Sequence, residues 1–222
     1  MTTPISLDVA NDDLLAGIVE ARGVPAGPAS AALAAEIDAA LAQRAGTEPT
    51  PTPLTAAIRD LLRKGGYKPT GRGKPASEYL AQAAARGEFP RISHVVDALN
   101  LVSLDSGLPI SLLDTDLAMA GTTGLVLRLG APGERFVFNA AGHEIDVAGL
   151  LCVARAGGPP IGNPVKDSMA TKTTPGTRNV LAVIWASRRV LDAAALTSVC
   201  ERLARLLGAS ETSVRVLAGT PQ

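Results

Sequence analysis

"VVDALNLVSLDSGLPISLLD", residues 95–114, carries two structural periods in one stretch. Val95, Leu99 and Val102 recur at helical spacing, Gly107 and Pro109 interrupt the pattern, and a short apolar segment then runs to Asp114. The stretch reads as an amphipathic helix that stops at Gly107 and turns into a buried strand. Asp97, Asn100 and Ser103 stand about one turn apart along that helix. Such a polar stripe faces either backbone groups that need partners or a pocket.

Upstream the texture is helical. Ala-rich sequence between Asn11 and Ala45 reads as two helices, the first stopped by Gly23 and the second entered after Pro28 with Leu33, Ile37 and Leu41 as its stripe. "GTEPTPTP" is a connector. Leu54, Ile58, Leu61 and Leu62 outline a third helix closed by Gly65 and Gly66, and the basic loop "YKPTGRGKP" leads to a fourth that runs from near Pro75 to Gly87. Downstream of Gly107 the texture is β. Strands are expected near 124–129, 134–138, 149–155, 179–186 and 212–217, with one further helix over 191–207. The fold class is α+β: a central mixed or antiparallel sheet flanked by helices, with a helical N-terminal extension over residues 1–50 and the main domain over 55–220.

With 46% apolar and 19% charged residues, the 222-residue chain has globular composition. It shows no membrane-spanning run and no signal-like start, which places it in the cytoplasm. Cys152 and Cys200 read as buried thiols of a reducing compartment. The net charge is zero but unevenly spread. Residues 1–48 hold seven acids against Arg22 and Arg44, whereas residues 59–91 hold eight Lys and Arg against three acids. The basic stretch either neutralises phosphates or attracts the acidic front end of the same chain.

His94 and His143, the two histidines, lie in no nucleophile-elbow or similar signature, so a catalytic triad is not expected. No Cys/His spacing fits zinc, and neither a metal nor another cofactor is expected. Polar chemistry is densest in "NPVKDSMATKTTPGTRN", residues 163–179, between two expected strands. Ser and Thr there can cap turns, yet the density exceeds what a connector needs.

In order and spacing, residues 55–218 resemble a freestanding B3/B4 domain of the kind found in the β subunit of phenylalanyl-tRNA synthetase. "PRISHVVDALNLVSLDSGLPISLLDTD" is similar to its helix, Gly-x-Pro turn and Asp-ending strand. "GLVLRLGAPGERF" resembles the next strand and turn, "TKTTPGTRNVLAVIWA" the entry to a later core strand, and "IRDLLRKGGYKP" with "KPASEYL" the helical lead-in of freestanding members. The resemblance implies an editing pocket that hydrolyses mischarged aminoacyl-tRNA in trans, with tRNA as partner. It equally admits a non-catalytic module for an amino acid or other small ligand, or a protein-interaction domain docking through the acidic front end. Two positions depart from the family. Ser111 stands where the synthetase has a pocket histidine, and Val183 where it has the glutamate that recognises a tyrosine hydroxyl. Tyrosine specificity is therefore not implied.

The resemblance brings together Asn100, Ser111, Asn163, Asp167, Thr171 and Lys172 as ligand-binding candidates. For RNA phosphates the candidates are Lys68, Arg72, Lys74 and Arg91.

Overall fold

The computed structural model describes residues 2–220. Its strands are β1 (Ile5–Asp8), β2 (Leu14–Arg22), β3 (Ile110–Asp114), β4 (Leu125–Leu129), β5 (Arg135–Val137), β6 (Glu144–Asp146), β7 (Leu151–Arg155), β8 (Pro160–Gly162), β9 (Asn179–Ser187) and β10 (Glu211–Ala218). The helices are α1 (Ala31–Ala42), α2 (Pro53–Arg63), α3 (Ala76–Ala85), α4 (His94–Ser106), α5 (Thr115–Met119) and α6 (Ala193–Leu206). One antiparallel sheet runs β10-β2-β9-β3; a second, mixed sheet runs β1-β4-β7-β8, with β1 parallel to β4 and the rest antiparallel. β5 and β6 form a separate two-stranded ribbon. The class is α+β with helices flanking the sheets.

The first sheet is covered on both sides, and period two decides what goes where. Leu15 and Val19 of β2 with Ala182 and Ile184 of β9 face the helical layer of α1, α4 and α6. Leu14, Ala16 and Ile18 with Leu181, Val183 and Trp185 face the second sheet. Layer order is thus helices, sheet, sheet.

The helix expected after Asn11 is instead β2. Its eight residues Leu14–Ala21 are all buried, Glu20 included, so no polar alternation marks the strand, and the apolar run Leu14–Val19 is equally compatible with a buried helix. Nine register pairs join it to β9 and eight join it to β10. Only Ala31–Ala42 of the front end is α-helical. Close packing also fixes glycine here: a Cβ on Gly17 would run into the Cys200 sulfur of α6.

The opening stretch behaves as its sequence implies. α4 ends at Gly107, whose left-handed φ of 71° suits glycine, and β3 follows with all five residues buried. Asp114 then caps α5 through Oδ1, accepting from the Asp116 and Leu117 amides, while its Oδ2 accepts from the Thr177 hydroxyl at 2.6 Å. The end of β3 is thereby tied to the entry of β9.

Candidate functional site

A cleft of about 400 Å³ opens between α3, α4, β3 and the segment 163–173. Leu80, Val96, Ile110, Leu112 and Val165 are among its apolar walls, and Tyr79 and Ile92, 65% and 67% exposed, stand at its rim. Segment 163–173 is anchored by short contacts to the strands beneath it. Ser168 N donates to Ile161 O (3.0 Å), the Thr171 hydroxyl donates to Ile161 O (3.2 Å), and Ala76 N at the start of α3 donates to Pro164 O (2.9 Å).

The polar stripe of α4 divides by task. Asp97 Oδ1 accepts from Ile92 N at 2.7 Å and so fixes the chain entering the helix. Ser103 donates its hydroxyl to Leu108 O at 2.7 Å and so closes the chain leaving it. Asn100, between them, is buried and lines the cleft, and its side chain bonds no other described residue.

Asn163 is the second carboxamide in the cleft and is 2% exposed. Its Oδ1 accepts from the amides of Val165 and Lys166, both at 2.8 Å, which fixes the orientation of the group. Its Nδ2 is buried with no hydrogen-bond partner among the described residues. A buried donor without an acceptor costs stability, so its retention calls for an explanation.

Asp167 also lines the cleft. Its Oδ2 accepts from Leu112 N at 2.8 Å, while Oδ1 is buried and unpartnered. The residue as a whole is only partly buried; the sealed carboxyl oxygen governs its titration. Burial pushes this carboxyl up to about 7, against the opposing hydrogen bond from Leu112 N and the positive charge of Lys172. Such a group exchanges a proton near neutral pH. Beside it, Lys166 stands 4.1 Å over the Phe138 ring, and burial, then Lys172 and Arg72, hold its ammonium below the usual lysine range.

Of the six ligand candidates, the structure brings Asn100, Asn163, Asp167 and Lys172 to one cleft. Lys172 is exposed at its edge and donates to Phe138 O at 3.3 Å. Ser111 and Thr171 are fully buried beneath it. Ser111 donates to Asn163 O at 2.9 Å and accepts from Trp185 Nε1 at 3.1 Å, supporting Asn163 from behind. Ser111 and Val183 are cross-strand partners on the sheet face that meets the second sheet, so neither position opens onto the cleft. Lys166, Tyr79 and Ile92 lie outside the expected set. For Lys166 the signal was its place beside Asp167 in the polar segment; α3 and its aromatic residue gave none.

The basic candidates separate as well. Lys68 and Arg72 are exposed and form no ion pair among the described residues. Lys74 lines a different cleft, between α2 and α3. Arg91 bonds Asp38 at 2.9 Å and approaches Asp97 at 3.7 Å. Lys64 likewise pairs with Asp12 and Asp13, and Arg202 reaches Glu36 and Asp105. The acidic front end therefore spends much of its charge within the chain.

Both histidines are structural. His94 Nδ1 accepts from Ser30 N (3.2 Å) and Nε2 donates to Leu206 O (3.0 Å), joining three helices. His143 stacks on Phe138 in the turn between β5 and β6. Cys152 and Cys200 are buried, which pushes both thiols up to about 12 and leaves neither a ready nucleophile.

The family model described as "B3/4 domain" matches residues 68–208, which include α3, α4, β3 and the whole of segment 163–173. The chain belongs to the B3/4 domain family. Over 108 residues it is 32% identical to the phenylalanine–tRNA ligase β subunit of Moorella thermoacetica, an alignment covering 48% of this chain and 13% of that one. The chain thus spans a small part of this curated relative. Among solved structures it is similar to an N-terminal fragment of the phenylalanyl-tRNA synthetase β subunit from Pyrococcus horikoshii, with a TM-score of 0.46, 9% identity, and coverage of 97% of this chain and 51% of that one. In this B3/4 domain the cleft residues Asn100, Asn163, Asp167 and Lys172 all fall inside the matched segment. No helix among the described residues is long and apolar enough to cross a membrane.

Proposed function

We propose that this B3/4 domain is a trans-acting hydrolase of aminoacyl-tRNA esters. The observation that carries the reading is the pairing, in one cleft, of a carboxyl poised near neutrality with an oriented amide donor that has no partner: Asp167 and Asn163. Ester hydrolysis needs a base to take a proton from the attacking water and a donor for the oxygen that becomes negative. Asp167 is assigned the first role and Asn163 Nδ2 the second, each engaging the ester only when the packing that seals its free atom gives way, with no protein nucleophile required. Lys166, Lys172 and Arg72 supply positive charge near the cleft for the phosphates of the tRNA end.

A deacylation assay against a panel of mischarged tRNAs tests the reading. Wild-type protein should release at least one amino acid, and Asp167→Asn should slow that release about 100-fold, within the usual contribution of a general base. No release from any member of the panel would reject the hydrolase. A second outcome has its own support, since the synthetase histidine and glutamate are replaced by the sealed Ser111 and Val183. Binding of amino acids without hydrolysis would identify a non-catalytic module.

The exposed loop makes a separate expectation. Replacing Lys68 and Arg72 with Ala should weaken binding to unrelated tRNAs by a similar factor and reduce the salt slope by roughly one to two, as loss of phosphate contacts does. Filter binding over a salt series reads both, and an unchanged slope would remove the loop from the interface.

A further inference from the structure

We propose that the other cleft, between α2 and α3, is a second site that binds the phosphate of a small phosphomonoester. It holds about 490 Å³ and is walled by connector residues 49–52, α2, α3 and the C-terminal end of α4. α3 stands between the two clefts, with Tyr79 and Leu80 lining one and Ser77 and Glu78 the other.

The charges around this second cleft leave one cation over. Glu78 accepts from Arg59 Nε at 2.7 Å and from Arg59 Nη2, and Asp105 pairs with Arg44 at 3.1 Å and Arg202 at 2.8 Å, so both carboxylates in the lining are matched. Lys74, also in the lining, forms no ion pair among the described residues. Three residues on, Ser77 is 5% exposed, yet neither its hydroxyl nor its amide bonds another described residue. A buried hydroxyl left without a partner costs stability. Ser77 is the second residue of the ten-residue α3, whose N-cap is Pro75 and whose first turn therefore has no side-chain cap. A lysine ammonium, a serine hydroxyl and the positive end of a helix thus lie within four residues of chain. A phosphate, with three terminal oxygens, can accept from all of them at once. Beside them the side chains of Thr50 and Gln82 bond no other described residue, and Leu54, Ala81 and Leu104 supply apolar surface. A hydroxylated body of sugar size fits that mixture and that volume.

Titration calorimetry on the full chain with ribose 5-phosphate, inorganic phosphate and ribose tests the site. Ribose 5-phosphate should bind at one site, inorganic phosphate should compete with it, and ribose should not bind. Ser77→Ala and Lys74→Ala should each weaken the ester about 10-fold, the size of a lost charged hydrogen bond, while Lys74→Arg retains it. Ser77→Ala should also keep the wild-type urea midpoint, because no bond within the protein is lost; a lowered midpoint would give the hydroxyl a structural role and overturn the argument. So would failure of both phosphates to bind, or binding indifferent to both alanine substitutions. Inorganic phosphate bound without the ester would reject the phosphomonoester. A tRNA affinity that falls with Lys74→Ala while neither phosphate binds would assign the lysine to an RNA surface instead. Deacylation enters none of these outcomes, so the hydrolase and the phosphate site stand or fall separately.

Discussion

Asp167→Asn is expected to make the protein more stable at pH 8 and to flatten its stability profile between pH 5 and pH 8. Burial of Oδ1 without a partner pushes the wild-type carboxyl up to about 7 in the folded chain, above its value in the unfolded chain. The sign follows from proton counting. Between pH 4 and pH 7 the folded state holds a proton that the unfolded state has lost, so stability falls as pH rises through that window and levels off above it. Discounted for partial solvent access, the loss between pH 5 and pH 8 is about 2 kcal/mol. Asparagine keeps an oxygen for Leu112 N and removes the charge. Denaturant midpoints of both proteins at the two pH values provide the measurement; curves that run parallel would show that Asp167 is not held neutral. The same substitution is expected to suppress hydrolysis, so stability gained and activity lost would be found together, as occurs where function keeps a strained group in place.

The second large effect lies far from the cleft. Ile18→Ala should cost about 3 kcal/mol, in the range for truncating a buried isoleucine, since Ile18 is 1% exposed between the two sheets. Were residues 11–22 an appended helix on the surface, the cost would stay below about 1 kcal/mol. Urea unfolding at constant pH distinguishes the two. Ile18 pairs with Val183 on β9 and Arg215 on β10, so the substitution opens a cavity in the middle strand rather than at an edge.

What could be read from the residues alone depended on whether one face met water. α2, with Ile58, Leu61 and Leu62 on one stripe and charges opposite, announces itself by period. So does α6, where Leu196, Cys200 and Leu203 recur at helical spacing. β3 is legible for another reason: Gly107 and Pro109 delimit it. β2 has neither advantage, being an unbroken apolar run from Leu14 to Val19 followed by a Glu20 that is itself buried, and only pairing to β9 and β10 reveals it. At the cleft, the polar run 163–173 was legible as unusual, but not the division of labour within it. Thr171 and Asn163 look alike in the chain. One donates downward to Ile161, and the other is clamped by two amides so that its donor is left over. Likewise Asp97 and Ser103 are distinguished from Asn100 only by which backbone groups happen to lie within reach.

The position of β2 has a consequence for the order of assembly. Leu14 pairs with Ser187 and Leu15 with Ala218, so the central strand is synthesised well before either neighbour exists. Until β9 has been made, the backbone amides and carbonyls of β2 have no sheet partner, and its leucines and isoleucine lie bare on both sides. Ladders that join residues so distant in sequence close late, because the intervening loop must lose its freedom first. A nascent chain halted before Asn179 therefore carries an unpaired apolar strand, the kind of segment that binds chaperones or other unfinished chains.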